Sequence, residues 1–402
     1  MRRGRTLRRA APECLLGVAL AAAVCPQPAR FAQAAGERDQ PAAAAVPDLA
    51  AAVVQYRRAL ADYLSARASY EAVADSYWRA VAEKRRLRNA KRANHETIAL
   101  DDYVLAQPPV YTGPPKPRDP SKPPEAAPPP SYVPVVADFL AAAQREFKFV
   151  PRLPQSETEF KKAYARLALA AGLTREQIVR IYGFEAGGNG EYDVQAGLEY
   201  NKRARAITTA LGYNQLLSTN TVEIIAESGN AFVKTLLSRS AQLLDDRRSA
   251  LDGTIAILHH MIGFARSVPD DWNQHQLLAV TPKGLGIHAL NLDLDVGPLL
   301  QTQKLLDSVV FARRKGLNAT LTAAELEMMN LTGDGNGFDM ITMPAAWRDK
   351  VPTANFFQRS GYRDNPVAQR NNVVAKLIAA TDAHMDQEIK KPGAGELAEA
   401  LR

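Results

Sequence analysis

Between residues 48 and 107 the chain carries neither glycine nor proline, and across 107–134 it places twelve prolines in 28 residues. The first stretch is free to form one uninterrupted helix. The second cannot enter a helix or a sheet interior, because each proline lacks an amide donor and fixes its own φ. An extended polyproline-type chain is expected there. The contrast sets a domain plan: a helical segment at 35–106, a linker at 107–134, a globular part at 135–391 and a Gly/Pro tail at 392–402.

Along the first segment, Leu49, Val53, Tyr56, Leu60, Tyr63, Arg67, Tyr70, Ala74, Tyr77 and Val81 alternate spacings of four and three, a heptad stripe. Tyr56, Tyr63, Tyr70 and Tyr77 share one heptad position, which suggests self-association or a partner helix. Tyrosine and Arg67 make a poor dry seam, so a helix lying along another surface fits as well. The stretch 79–92 holds seven cationic side chains against Glu83. It is read either as a solvated helix end or as a contact for an anionic envelope polymer or lipid surface.

Charge excludes one partner class. The formal charge is +7, but residues 1–34 supply six arginines against Glu13, which leaves +2 for the rest. That is too little to argue for nucleic acid. The same 34 residues read as a secretory signal: an Arg-rich start, an apolar run at 14–25 too short to span a bilayer, and an Ala32-Gln33-Ala34 cleavage site. A periplasmic or secreted protein without a membrane span in its mature chain is expected. Both cysteines, Cys14 and Cys25, would leave with the signal, so no disulfide supports the mature fold.

From residue 135 the periodicity is helical throughout, and the fold class expected is all-α. Helices are expected over 137–147, from a Ser156/Glu159 capping box to 171, and from a Thr174/Gln177 box to Glu185. Asn220 and Glu223 open another, followed by 243–265, 298–315, a helix capped by Thr322 and Glu325 that breaks at Gly333, and a last one over 366–389. Ile178, Ile181, Tyr182 and Glu185 fall at i, i+3, i+4 and i+7, on one apolar helix face. Glu185 would therefore project from a hydrophobic stripe at a helix C-terminus. Burial and the helix dipole both favour its protonated form there. A carboxyl that keeps its proton near neutral pH suits a general acid.

Three motifs, in order, give the globular part a resemblance to the lysozyme-like fold of lytic transglycosylases. Glu185-Ala186-Gly187-Gly188-Asn189 resembles that family's E-S-G-G-N, Ala210–Gln215 its A-x-G-L-M-Q, and Met329–Gly335 its Y-N-A-G-x-G. Asp295-Val296-Gly297 is similar to its N-x-x-x-G helix start. The likeness covers about residues 156–338. It departs at Ala186, in a longer loop at 189–205, and at Met329, where the family has a tyrosine whose hydroxyl lies near the acid. Tyr192, Tyr200 or Tyr213 would have to replace that hydroxyl.

The resemblance implies cleavage of peptidoglycan glycan strands by a single acid, Glu185, without a metal or cofactor. It implies that Gly188, Tyr192, Gly212, Tyr213, Gln215 and Asn330 contact the substrate. In particular, Gln215 would orient Glu185 or bond the sugar, Asn330 would bond an acetamido group or pin its loop, and Gly212 would let the backbone approach closely. Glu191 or Asp193, facing Glu185 across the groove, would make hydrolysis possible. The alternative is a non-catalytic envelope protein that binds glycan or scaffolds a complex on the same fold.

Other candidates are weaker. Glu227-Ser228-Gly229-Asn230 copies the acid's motif but lies inside a continuing helical pattern. Adjacent His259 and His260 lack metal-pair spacing, and 334–339 lacks the later ligands of a calcium loop. Phe356, Phe357 and Tyr362 read as core or as the wall of a sugar groove.

Overall fold

The computed structural model describes residues 49–123, 131–198 and 206–402. The expected signal segment, residues 35–48 and Tyr200 lie outside these. The described chain is all-α: isolated bridges such as Leu211 with Leu216 replace strands. No described helix is long and apolar enough to cross a membrane.

Helix α1 (Leu49–Ala93) fills most of the breaker-free stretch but ends fourteen residues before Gln107, and His95 just beyond it takes a φ of +58°. Its buried residues, Ala74, Val81 and Arg88, are spaced by seven and extend the heptad stripe. Part of that stripe is covered by the chain itself. The segment after a 3₁₀ turn (Leu100–Asp102) runs back along α1. The Tyr77 hydroxyl donates to the carbonyl of Ala106 and the Tyr70 hydroxyl to that of Pro109. The Tyr111 ring sits edge-on to Tyr63 and Tyr70, with Arg67 over it. Residues 106–111 thus lie as a strap on Tyr63, Tyr70 and Tyr77, the other surface that the heptad stripe allowed for.

The boundary expected at 107–134 does not separate α1 from the rest. One side of the basic stretch 79–92 (Arg85, Arg88, Lys91 and Arg92) docks the helix on the rest of the chain, while Arg79 and Arg86 are exposed. Arg88 is fully buried. It donates to Asp339 and to the carbonyls of Asp102 and Asn355, and lies over the rings of Tyr103 and Phe356. Arg92 grips the same Asp339, Lys91 pairs with Asp102, and Arg85 donates to the carbonyls of Asn355 and Phe357. Asn355 also clasps Val104, accepting from its amide and donating to its carbonyl, both at 2.8 Å.

The globular part packs around two cores. In the first are α3 (Glu157–Ala170) and α4 (Arg175–Ala186), both opened by the expected side-chain caps, Ser156 and Thr174. The second is built by α2 (Val136–Phe147), α5 (Ser218–Ser240), α6 (Asp245–Ala265), α7 (Trp272–Ala279) and α8 (Pro282–His288). Helix α9 (Gly297–Arg314) joins the two: Leu299 and Leu300 belong to the second core, Leu305, Val309 and Ala312 to the first. Helices α10 (Ala323–Thr332) and α11 (Asp334–Thr342) then turn at Gly333, with φ of +80°. A Cβ on Gly337 would stand 2.3 Å from the Met329 Cα, so this pair packs backbone to backbone.

Several expected boundaries move. Helix α5 opens at Ser218, because Asn220 accepts from the Leu217 amide, and it runs unbroken through Gly229. Glu223 is therefore free of the capping role expected of it. The last helix divides: after short turns α12 (Ala345–Arg348) and α13 (Arg359–Arg363) come α14 (Pro366–Arg370) and α15 (Val374–Glu388). The expected tail is a helix, α16 (Pro392–Ala400), because Ala394, Leu397 and Leu401 complete the first core. Proline at its first position costs no hydrogen bond. Phe356, Phe357 and Tyr362 are buried in that core rather than lining a groove.

Candidate functional site

Helix α4 buries Ile178, Ile181 and Tyr182, as their spacing predicts, and brings Glu185 to its last turn. Glu185 stays partly exposed while protein surrounds most of its carboxyl. Helix α10 faces it. There Glu327 and Asn330 share a side through their i, i+3 spacing. The Asn330 amide donates to Glu185 Oε1 at 2.7 Å and lies 3.4–3.5 Å from both oxygens of Glu327. The two carboxyls thus meet at one amide, placed to share a hydrogen bond, which would require a proton between them.

Burial is the main cause of the electrostatics here. It raises Glu185 to about 7, against the pull of Lys304, Glu327 and Asn330. Glu327, 1% exposed, is pushed well above the carboxylate range by burial and then by Glu185. Lys304 on α9 lowers both, and is also felt by Glu223, Asp307 and Asp334. Glu223, on the side of the second core, is raised to about 7 by burial and by Glu227. One ammonium thus stands among five carboxyl groups where α9 passes from one core to the other.

The other expected site residues divide sharply. Asn330 lies against Glu185 and donates to its carboxyl. Gln215 does not: with φ of +42°, it donates to the carbonyls of Val194 and Gly212, and no hydrogen bond joins it to Glu185. Its amide closes its own turn, and that need outweighs the expected role. Tyr213 is fully buried and donates to Glu157, with its ring against Phe160, Tyr164 and Tyr182. Tyr192 stacks on Phe160 at 4.7 Å, and its amide donates to Glu157. These two tyrosines therefore hold the loop to α3 and leave Glu185 without their hydroxyls.

Gly188, with φ of +66°, lies against the carbonyl of Glu388, 2.5 Å from where a Cβ would be. Gly212, with φ of +86°, lies against the Gln301 amide. Both glycines serve close packing inside the protein rather than approach to a ligand. Met329 is 1% exposed in the first core, so nothing replaces the family's tyrosine at that position. Glu191 and Asp193 act on Tyr192 and Glu157, not on Glu185.

Two residues that matter here went unmarked in the sequence. Glu327 had a signal: it is the one acid between the buried Leu326 and Met328, three residues before Asn330. Lys304 had none. Two cavities stand elsewhere. One of about 320 Å³ at the foot of α1 is lined by Arg92, Lys315, Phe338 and Trp347 among others, and a smaller one lies near Gly172; neither includes Glu185. Among the described residues no group of three or more His, Cys, Asp or Glu side chains is arranged to hold a metal ion.

Comparison with family models, with curated proteins and with solved structures finds no match to this chain.

Proposed function

We propose that this protein is an exported, lysozyme-like enzyme that cleaves peptidoglycan glycan strands in the manner of a lytic transglycosylase, with Glu185 as its acid and base. The observation that carries the reading is the Glu185 carboxyl at the end of α4, in a partly exposed residue, held by Asn330 at 2.7 Å and raised by burial to about 7. Such a group gives up a proton readily near neutral pH and takes it back. It would protonate the glycosidic oxygen, then as carboxylate remove the proton from the sugar's own 6-hydroxyl, closing a 1,6-anhydro ring. The pairing of Glu185 with Glu327 favours this one-acid scheme. Two carboxyls that act on either side of a sugar stand roughly 5 to 9.5 Å apart, whereas these two crowd the same Asn330 amide from one side of the site.

The test is digestion of purified sacculi, with soluble products read by mass spectrometry. The native protein should release anhydro-muropeptides, and Glu185→Gln, with unchanged circular dichroism, should lose about 100-fold or more of that rate. Release by Glu185→Gln at the native rate refutes the assignment. A second reading has its own observation: Met329 sits in the core and Gln215 is turned into its loop. Both favour a protein that binds glycan strands without cutting them. Sacculus binding with no new products would support it.

A further inference from the structure

We infer that Glu327 is a positioning residue: it keeps its proton throughout and donates it to Glu185, so that Glu185 alone changes ionisation during the reaction. The inference rests on the glycan-cleaving reading for its consequence, but on the geometry of the pair for its substance.

Glu327 lies in the middle of α10, between Leu326 and Met328, which are both fully buried. Its partners are few. Glu185 is placed to share a hydrogen bond with it, Asn330 stands at 3.4–3.5 Å, and the charge of Lys304 reaches it without an ion pair. An ionised carboxylate in such a place would lack the donors that make burial tolerable. A neutral carboxyl needs only one acceptor, and Glu185 is that acceptor. The asymmetry of the pair follows from position. Glu185 closes its helix and reaches solvent, whereas Glu327 is enclosed on every side. When one proton leaves, it leaves Glu185.

The consequence concerns the second half of the reaction. After Glu185 has given its proton to the leaving oxygen it must persist as a carboxylate, in a place where burial opposes that charge. Two donors are then aimed at it, the Asn330 amide and the Glu327 hydroxyl. Both stabilise the anion without transferring a proton. The proton balance stays simple: one goes from Glu185 to the sugar, one returns from the 6-hydroxyl to Glu185, and Glu327 retains its own.

The experiment titrates the full-length protein with ¹³C-labelled glutamate carboxyls by NMR, Glu185 being assigned from Glu185→Gln. Glu327→Leu removes the donor and should move the Glu185 midpoint upward by about one unit or more. Glu327→Gln keeps an N–H donor and should leave it near the native value. The pH profile of sacculus cleavage should follow, with its upper limb, which reports the acid that must start protonated, moved to higher pH in Glu327→Leu and restored in Glu327→Gln. An unmoved Glu185 midpoint in Glu327→Leu overturns the inference, as does an equal shift in both variants. If Glu327→Leu does not fold, the Glu327 resonance in the native protein decides: protonated from pH 5 to 8 supports the inference, and ionising below Glu185 overturns it. A protein that shows the midpoint shift yet cleaves nothing leaves the pair intact and refutes only the glycan-cleaving reading.

Discussion

Asp339→Asn is the sharpest test of how α1 is joined to the globular part. Asp339 has a 1% exposed side chain and faces two guanidinium groups. Arg88 reaches it at 3.3 Å, and Arg92 at 3.0 and 2.8 Å. Asparagine keeps the shape but removes the charge, leaving a buried Arg88 beside Arg92 with no counter-ion. Breaking a buried pair by removing one partner costs about 3–5 kcal/mol. The lower end applies here. Arg88 retains the carbonyls of Asp102 and Asn355 and the Tyr103 ring at 4.5 Å, and Arg92, 11% exposed, has an edge in water. Urea unfolding followed by tryptophan fluorescence suits the measurement, because Trp78 of α1 packs on Tyr362 of the body at 5.8 Å. A loss of about 3 kcal/mol is expected, and Asp364→Asn, which touches only the exposed Arg363, should show none. A loss under about 1 kcal/mol, the level of a surface pair, would refute the reasoning. Arg88→Met combined with Asp339→Leu should recover much of the loss, since an apolar pair replaces a desolvated one.

Stability should also fall as pH rises through weak acid. Glu185 and Glu223 are raised to about 7, and Asp293 and Asp307 to about 6, chiefly by burial. Between the unfolded and folded values the native state holds more protons, so unfolding free energy declines with pH. His288, lowered to about 4, opposes this but is outnumbered. The melting temperature should be higher at pH 5 than at pH 7.5, and Glu223→Gln should flatten the slope; a native melting temperature that rises over that interval would refute this. Two glycine replacements separate strain from crowding. Gly316→Ala, at φ of +91° with open space around it, should lose about 1–2 kcal/mol. Gly212→Ala should lose roughly 1–3 kcal/mol more, because its Cβ would displace the Gln301 amide, which holds Asn214, Leu211 and Asn291. Equal losses in the two, measured by urea unfolding, would refute the packing role given to Gly212.

Local chemistry explains what the sequence alone determined. The absence of glycine and proline from 48 to 107 permits one long helix, although α1 stops at Ala93, and the side-chain caps at Ser156, Thr174 and Thr322 place three helix starts. Spacing alone put Glu185 on the inward face of α4, since a 3.6-residue period is a property of the backbone. Asn330 was found by a motif, and the structure sets it on Glu185. The strap on the tyrosine row was decided by hydrogen bonds between residues 29 and 39 apart, and the docking of the basic stretch on Asp339 and Asn355 and the helix formed by 392–400 by contacts between residues hundreds apart in sequence. No local pattern encodes them, because the same arginines or tyrosines would serve a solvated face or a dimer equally well. The same holds for Glu327 and Lys304. A glutamate on an apolar helix becomes a proton donor only when another carboxyl is folded against it, and that is a fact of tertiary packing.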